Sequence, residues 1–343
     1  MDIRDEAMQL RNEKHQMIKT GLNAKMENSH DLAVVYTPGV AAPCLAIKEE
    51  EDKSLELTWR GNVVAVISDG TRVLGLGDIG PAAAMPVMEG KSALYKRFGN
   101  IDAIPIVLNT KDKDEIVRTI RILEKSFAGI NLEDFSSPKC YDIEDELKAT
   151  MNIPVFHDDQ HGTAIAALAA VLGALRLIKK GIGKAKVVMF GAGAAGTAIA
   201  RLLLEDGVKP ENMTVLNSKG ILYDDGRLNR VQKELAKQVN PENRQGTFAD
   251  AVKGADILLA TSAPAAFKEM HKEAIKTMAE KNVVFAMANP IPEMMLSDAQ
   301  ELGVYVFGTG RSDMPNQVNN SSVFPGLFRG ALDVRARQIN EPM

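Results

Sequence analysis

A chain of 343 residues is longer than one hydrophobic core ordinarily organises, so two domains are expected. Its 45% hydrophobic and 25% charged residues are the balance of a globular protein rather than a disordered or fibrous one. A formal net charge of −4 without a basic run argues against a nucleic-acid binder, and two cysteines, Cys44 and Cys140, are too few for a disulfide framework or a four-cysteine zinc site.

The N-terminus, MDIRDEAMQLRNEKHQ, is charged and amphipathic and lacks the apolar region of a signal peptide, so a cytoplasmic protein is expected. Residues 1–35 read as helix followed by loop, and KEEED at 48–52 as a solvated helix end. The β-branched runs NVVAVI (62–67), IDAIPIVL (101–108) and NIPVF (152–156) read as strands, with helical patterns over 81–98 and 113–127 between them. That alternation predicts a parallel sheet covered on both faces. The alanine-rich stretch GTAIAALAAVLGALRLI (162–178) is short for a membrane span and closes with Arg176, so it reads as a buried helix. From 185 the alternation restarts, with AKVVMF, MTVLN, ADILLATS, NVVFAMANP and VYVFGTG as strands. The expected fold class is α/β: an N-terminal α/β domain over 1–161 and a Rossmann-type dinucleotide-binding domain over 162–310. A tail, 311–343, is expected to pack back on the first domain.

The pattern G-x-G-x-x-G occurs twice, as GLGDIG (75–80) and GAGAAG (191–196). Only the second follows an apolar strand and opens a helix, as pyrophosphate binding at a helix N-terminus requires. The first carries Asp78 where a phosphate would approach, and reads as a tight loop. Gly191, Gly193, Ala194, Ala195 and Gly196 are therefore the expected cofactor loop. The position for an acid at the end of the next strand holds Asn217, with Lys219 close by, which leaves NAD and NADP both open. By itself Asn217 is equally a turn residue.

FHDDQHGTA (156–164) places His157 and His161 around two aspartates, a spacing shared with helical zinc motifs. Pro154 and a strand precede it, and Gly162 is expected to interrupt before the helix begins, which weakens a zinc site. A hard site has better support. Glu133 and Asp134 of NLEDF and Asp158 and Asp159 of HDDQH fall at strand ends, where converging carboxylates suit Mg²⁺ or Mn²⁺. Taken singly, each acidic pair is more often a helix N-cap or a solvated turn than a ligand pair, and the pairs gain weight only in combination.

Together, VVYTPGVAAPC, SDGTRVLGLGDIGPAAAMPVMEGKSALY, GINLEDF, FHDDQHGTA, GAGAAG, ANPIPE and GTGRSDMPNQVNNSSVFPG resemble the malic enzymes, in their short bacterial and archaeal form, from about residue 30 to 335. The resemblance implies oxidative decarboxylation of L-malate with NAD or NADP and Mg²⁺ or Mn²⁺. It implies Tyr36 as the acid, Lys91 as the base, and Glu133, Asp134 and Asp159 as metal ligands, with Asp158 in support. It further implies Arg72, Asn289, Asn319 and Asn320 at the substrate, Asn289 also beside the cofactor, and a homodimer whose active-site residues cross between subunits. A basic Lys91 requires a pKa lowered by burial and the cation. Asn217 departs from the family's aspartate. The alternatives are a decarboxylase of oxaloacetate or a malolactic enzyme of the same family, a catalytically silent nucleotide-binding protein and, remotely, a zinc hydrolase.

Overall fold

The computed structural model describes residues 2–340, 342 and 343. The first sheet runs β1 Val63–Ser68, β2 Asp102–Val107, β3 Gly129–Leu132 and β4 Val155–His157, all parallel, in the order β2-β1-β3-β4. Every residue of β1, β3 and β4 is buried, as expected of parallel strands covered on both faces. Ile67 pairs with Leu132 and Leu132 with His157, so these three strands end side by side. The residues just beyond them are thereby delivered to one edge, the carboxyl edge where open α/β sheets bind ligands.

The second sheet comprises β5 Val187–Phe190, β6 Met213–Asn217, β7 Gly220–Ile221, β8 Ile257–Ala260, β9 Val283–Ala286 and β10 Val306–Thr309. Its order is β10-β9-β8-β5-β6-β7, parallel except for the short β6–β7 hairpin. The chain leaves β5 toward β6 on one side and later returns to β8 on the other, so the loop after β5 sits at the switch of strand order. The sequence pattern missed β7, a two-residue strand that cannot show a period, and took in β3 only as the approach to NLEDF.

Helix Asp158–Ile178 joins the two sheets. It begins at Asp158, not after Gly162 as expected, because a glycine inside a helix costs only about 1 kcal/mol and the packing here outweighs it. Its 21 residues are also long and apolar enough to cross a membrane, contrary to the sequence estimate. It is nevertheless a core helix. Ala164, Ala167, Val171, Ala174 and Leu175 are buried in the cluster that includes Ala198, Ile199 and Leu203 of helix Ala194–Glu205.

The final helix, Phe324–Asp333, returns to the first sheet's outer helix, Gly80–Gly99. Phe324 and Phe328 are fully buried, with ring centroids 4.6 and 5.4 Å from Tyr95, and Phe328 lies edge-on to Phe156 at 5.9 Å. Truncating Phe328 opens a void where nothing can collapse. Phe328→Ala is therefore expected to cost about 3–5 kcal/mol, read as a lowered midpoint in urea unfolding.

Candidate active site

Glu133 and Asp134 follow β3, and Asp158 and Asp159 follow β4 as the first turn of helix Asp158–Ile178. Oxygens of Glu133, Asp134 and Asp159 lie within 4.8 Å of one another. Asp134 adopts a left-handed backbone (φ 57), uncommon for a residue with a Cβ. Two bonds hold it there: its carbonyl accepts Arg72 N at 2.9 Å, and its own N donates to Asp159 Oδ2 at 2.8 Å. Glu133 Oε2 accepts Asn131 Nδ2 at 2.9 Å, and Asn131 Oδ1 accepts the Tyr95 hydroxyl at 2.8 Å.

Asp158 does not join that trio. Fully buried, it pairs with the Lys91 ammonium, which lies 2.8 Å from Glu133 Oε1 and 4.4 Å from the Phe324 ring centroid. A Cβ at Gly162 would meet Asp158 Oδ1 at 1.9 Å, so the glycine inside the helix admits this carboxylate.

The cluster is short of positive charge. Burial, then the Asp159 charge, pushes Asp134 up to about 9; burial, partly offset by Lys91, pushes Glu133 up to about 7. Burial likewise raises Asp158 to about 6. The carboxylates act on Lys91 in turn. Burial disfavours its charge, but the Asp158 and Glu133 carboxylates outweigh burial and hold it above the ordinary lysine value. Asp134 Oδ2 is buried without a hydrogen-bond partner. Such an all-oxygen donor set facing unbalanced negative charge fits Mg²⁺ or Mn²⁺.

The histidines play no part in it. His157 precedes the helix, its ring 6.4 Å from Phe135 and buried, which lowers its pKa to about 4; His161 turns away to Glu144, at 2.9 Å. The chelating pair of a helical zinc site is not formed.

A cavity of about 720 Å³ unites Arg72, Lys91, Glu133, Asp134, Asp159, Gly193, Ala194, Ala195, Asn289, Asn319 and Asn320. Gly191, at φ 118, starts the turn after β5. A Cβ on Gly196 would come 1.8 Å from Gly191 O, so the close return of the helix needs glycine at 196. Gly193 caps helix Ala194–Glu205, which aims the helix N-terminus into the cavity. Asn319 also serves its own turn, donating to Gly310 O at 2.9 Å and accepting Ser321 N at 2.9 Å. Asn217, at the end of β6, accepts Lys219 N at 2.8 Å, and Lys219 pairs with Asp225 at 3.1 Å. A second cavity, about 630 Å³, is lined in part by Glu144, Lys148 and His161 and touches none of the clustered carboxylates.

Of the expected residues, Asn217 and Tyr36 are not among those lining the cavity of about 720 Å³. Tyr36 is 66% exposed and does not line the cavity of its own chain. It belongs to a stretch, residues 2–50, in which no side chain is buried. Sequence reasoning missed Asn131, Phe324, Thr163 and Thr261, of which all but Asn131 face the cavity. For Asn131 a signal existed: in GINLEDF it lies two residues before Glu133, on the same face of an extended strand.

A parallel-sheet domain whose acidic edge shares a cavity with a Rossmann glycine loop defines a nicotinamide-dependent oxidoreductase of the type that works with a hard divalent ion. Residues 12–148 match the family model described as malic enzyme, N-terminal domain, and 160–343 that described as malic enzyme, NAD binding domain. The chain belongs to the malic enzyme family. It is 49% identical to the bifunctional malic/malolactic enzyme of Bacillus subtilis, across 100% of this chain and 83% of that one. It is 50% identical to the NAD-dependent malic enzyme of Geobacillus stearothermophilus, across 95% and 67%. The crystal structure of the NAD-dependent malic enzyme of Thermotoga maritima superposes with a TM-score of 0.91 at 44% identity, covering 97% of this chain and 88% of that one.

The raised carboxylates give metal binding a pH dependence of definite sign. At pH 6 a divalent ion must displace protons from both Asp134 and Glu133, whereas at pH 8 Glu133 is already ionised and Asp134 is nearer its titration. If these acids hold the ion, Mn²⁺ affinity is expected to rise by about 10³-fold from pH 6 to pH 8, followed by the electron spin resonance signal of free Mn²⁺. A flat profile would show that these acids do not hold the ion.

Proposed function

We propose that this protein oxidises and decarboxylates L-malate to pyruvate and CO₂, reducing NAD or NADP, with Glu133, Asp134 and Asp159 as ligands of Mg²⁺ or Mn²⁺. The reading rests on one observation: three oxygen ligands meet beside Lys91 in the cavity that the glycine loop also enters. When bound, a divalent ion would offset the carboxylates that keep Lys91 protonated and would stabilise negative charge developing on the substrate oxygen. Lys91, once neutral, is placed to take the C2 hydroxyl proton, and a bound nicotinamide cofactor would accept the C2 hydride. Arg72 and the amides of Asn289, Asn319 and Asn320 face the same space and suit the substrate carboxylates. The glycine loop and its helix N-terminus suit the pyrophosphate.

Loss of CO₂ leaves a carbanion equivalent at C3 that needs a proton, and we assign that proton to Tyr36 of a second copy. Its own cavity does not include it, while Leu22, Leu32, Val34, Val35, Val40 and Leu45 of the same segment are exposed. An apolar surface of this extent calls for cover. A cytoplasmic homodimer in which each N-terminal segment completes its partner's site accounts for both facts.

Malate, Mn²⁺ and each cofactor should raise absorbance at 340 nm. Pyruvate as product supports oxidative decarboxylation, whereas lactate without net reduced cofactor marks malolactic conversion, an activity named in the B. subtilis relative. Lys91→Ala is expected to lower kcat about 10²–10⁴-fold while reduced cofactor still binds. Mixing and reassembling inactive Tyr36→Phe and Lys91→Ala chains tests the crossing. Random pairing should restore about a quarter of wild-type activity, since half the dimers are mixed and each of those has one intact site. No recovery would place both residues in one subunit's site.

A further inference from the structure

The two histidines and the glutamine of FHDDQHGTA bear no cluster ligand, yet they converge on one group. Glu144 lies on helix Lys139–Thr150, is 3% exposed and sits behind the first turn of helix Asp158–Ile178. Its Oε1 accepts the backbone N–H of His157 at 3.2 Å and lies 2.7 Å from Lys148 Nζ. Its Oε2 accepts Gln160 Nε2 at 2.9 Å, and the His161 ring nitrogen lies 3.0 Å from that oxygen and 2.9 Å from the other.

These partners bracket the two aspartates: 157 stands before Asp158, and 160 and 161 stand after Asp159. The turn has no side-chain N-cap of its own, so little within the helix fixes its entry angle. Asp159 Oδ2 accepts the Asp134 N–H, and the His157 ring nitrogen lies 3.8 Å from the same oxygen. A buried carboxylate bound at three points of a five-residue stretch supplies the missing constraint from behind. The carboxylate itself is buried and its bonds are charge-assisted, which makes them stronger than bonds between neutral groups.

We infer that Glu144 is a positioning residue for the metal site: by gripping His157, Gln160 and His161 it sets the direction in which Asp159 presents its carboxylate to the ion. The inference rests on the metal reading above. Glu144 touches neither substrate nor ion, and acts only through the turn it holds. Supporting residues of this kind typically change metal affinity about 10–100-fold when altered.

Glu144→Gln keeps the size and one acceptor oxygen but turns an NH₂ toward Gln160 and His161, both donors. Mn²⁺ binding to the intact protein without substrate is read by electron spin resonance, and binding of NADH and NADPH by fluorescence on the same samples. The inference expects Mn²⁺ affinity to fall about 10-fold or more while reduced-cofactor affinity stays within about 2-fold. Gln160→Ala removes a single donor and should give a smaller loss of the same kind, about 3-fold, which carries the test if the Glu144 variant does not fold. Mn²⁺ binding unchanged in the variants overturns the inference and leaves the metal reading standing. Mn²⁺ and cofactor affinity lost in parallel overturns it as well, since that marks general loosening. Wild-type protein that binds no Mn²⁺ brings down the metal reading and this inference together.

Discussion

Mutual repulsion among buried acids governs this molecule. Carboxylate oxygens of Glu133, Asp134 and Asp159 lie within 4.8 Å of each other, and two ionised groups at that separation repel by roughly 3 kcal/mol in a medium of effective dielectric about 20. No chain adopts such an arrangement by default. It persists because the ends of β3 and β4 are locked in register by fully buried strands, and because Asp134 is held in a left-handed conformation by bonds from Arg72 and to Asp159. Lys91 matches Asp158 and Glu133, so the uncompensated charge concentrates where Asp134 and Asp159 face the cavity.

The same constraint explains why helix Asp158–Ile178 is built as it is. Its first turn must carry two carboxylates, so its polar end sits at the acidic edge of the first sheet, where the helix dipole favours negative charge. Its remaining length must pack closely on helix Ala194–Glu205, which opens at the glycine loop. Small residues answer that need: Ala164, Ala167 and Ala174 on one helix meet Ala198 and Ile199 on the other. One continuous helix thus carries Asp158 and Asp159 at its first turn and packs along its length on the helix that opens at the glycine loop. The closing helix, with Phe324 over the Lys91 ammonium and Phe328 against Tyr95 and Phe156, seals the same region from the other side. The apolar packing around the lysine keeps water from screening its carboxylate partners.

At the opposite extreme stands the N-terminal stretch. Its helices Ile3–Lys14, Ser29–Val35 and Ala41–Glu49 bury no side chain, and short helices draw their stability from packing rather than from propensity. This is the surface that the proposed second copy would cover.

Local pattern was enough for the sequence to declare its α/β class, most strand positions, the working glycine motif and the acids at strand ends, because each of these leaves a mark within a few residues. GAGAAG was separable from GLGDIG by its neighbours alone, and Glu133 and Asp134 were visible as the end of an apolar run. What only tertiary structure decided were relations between distant segments. Asp158 was drawn from the ligand set to Lys91 by a helix 67 residues earlier in the chain. The carboxylates that hold Lys91 charged come from two other strand ends. Asn131 and Glu144 acquired their supporting places through partners 36 and 13 to 17 residues away. Tyr36 was left outside its own chain's cavity. Periodicity and motif report what a residue is and which way its own segment faces; charge balance, burial and reach depend on which other segments arrive, and the folded chain alone sets those.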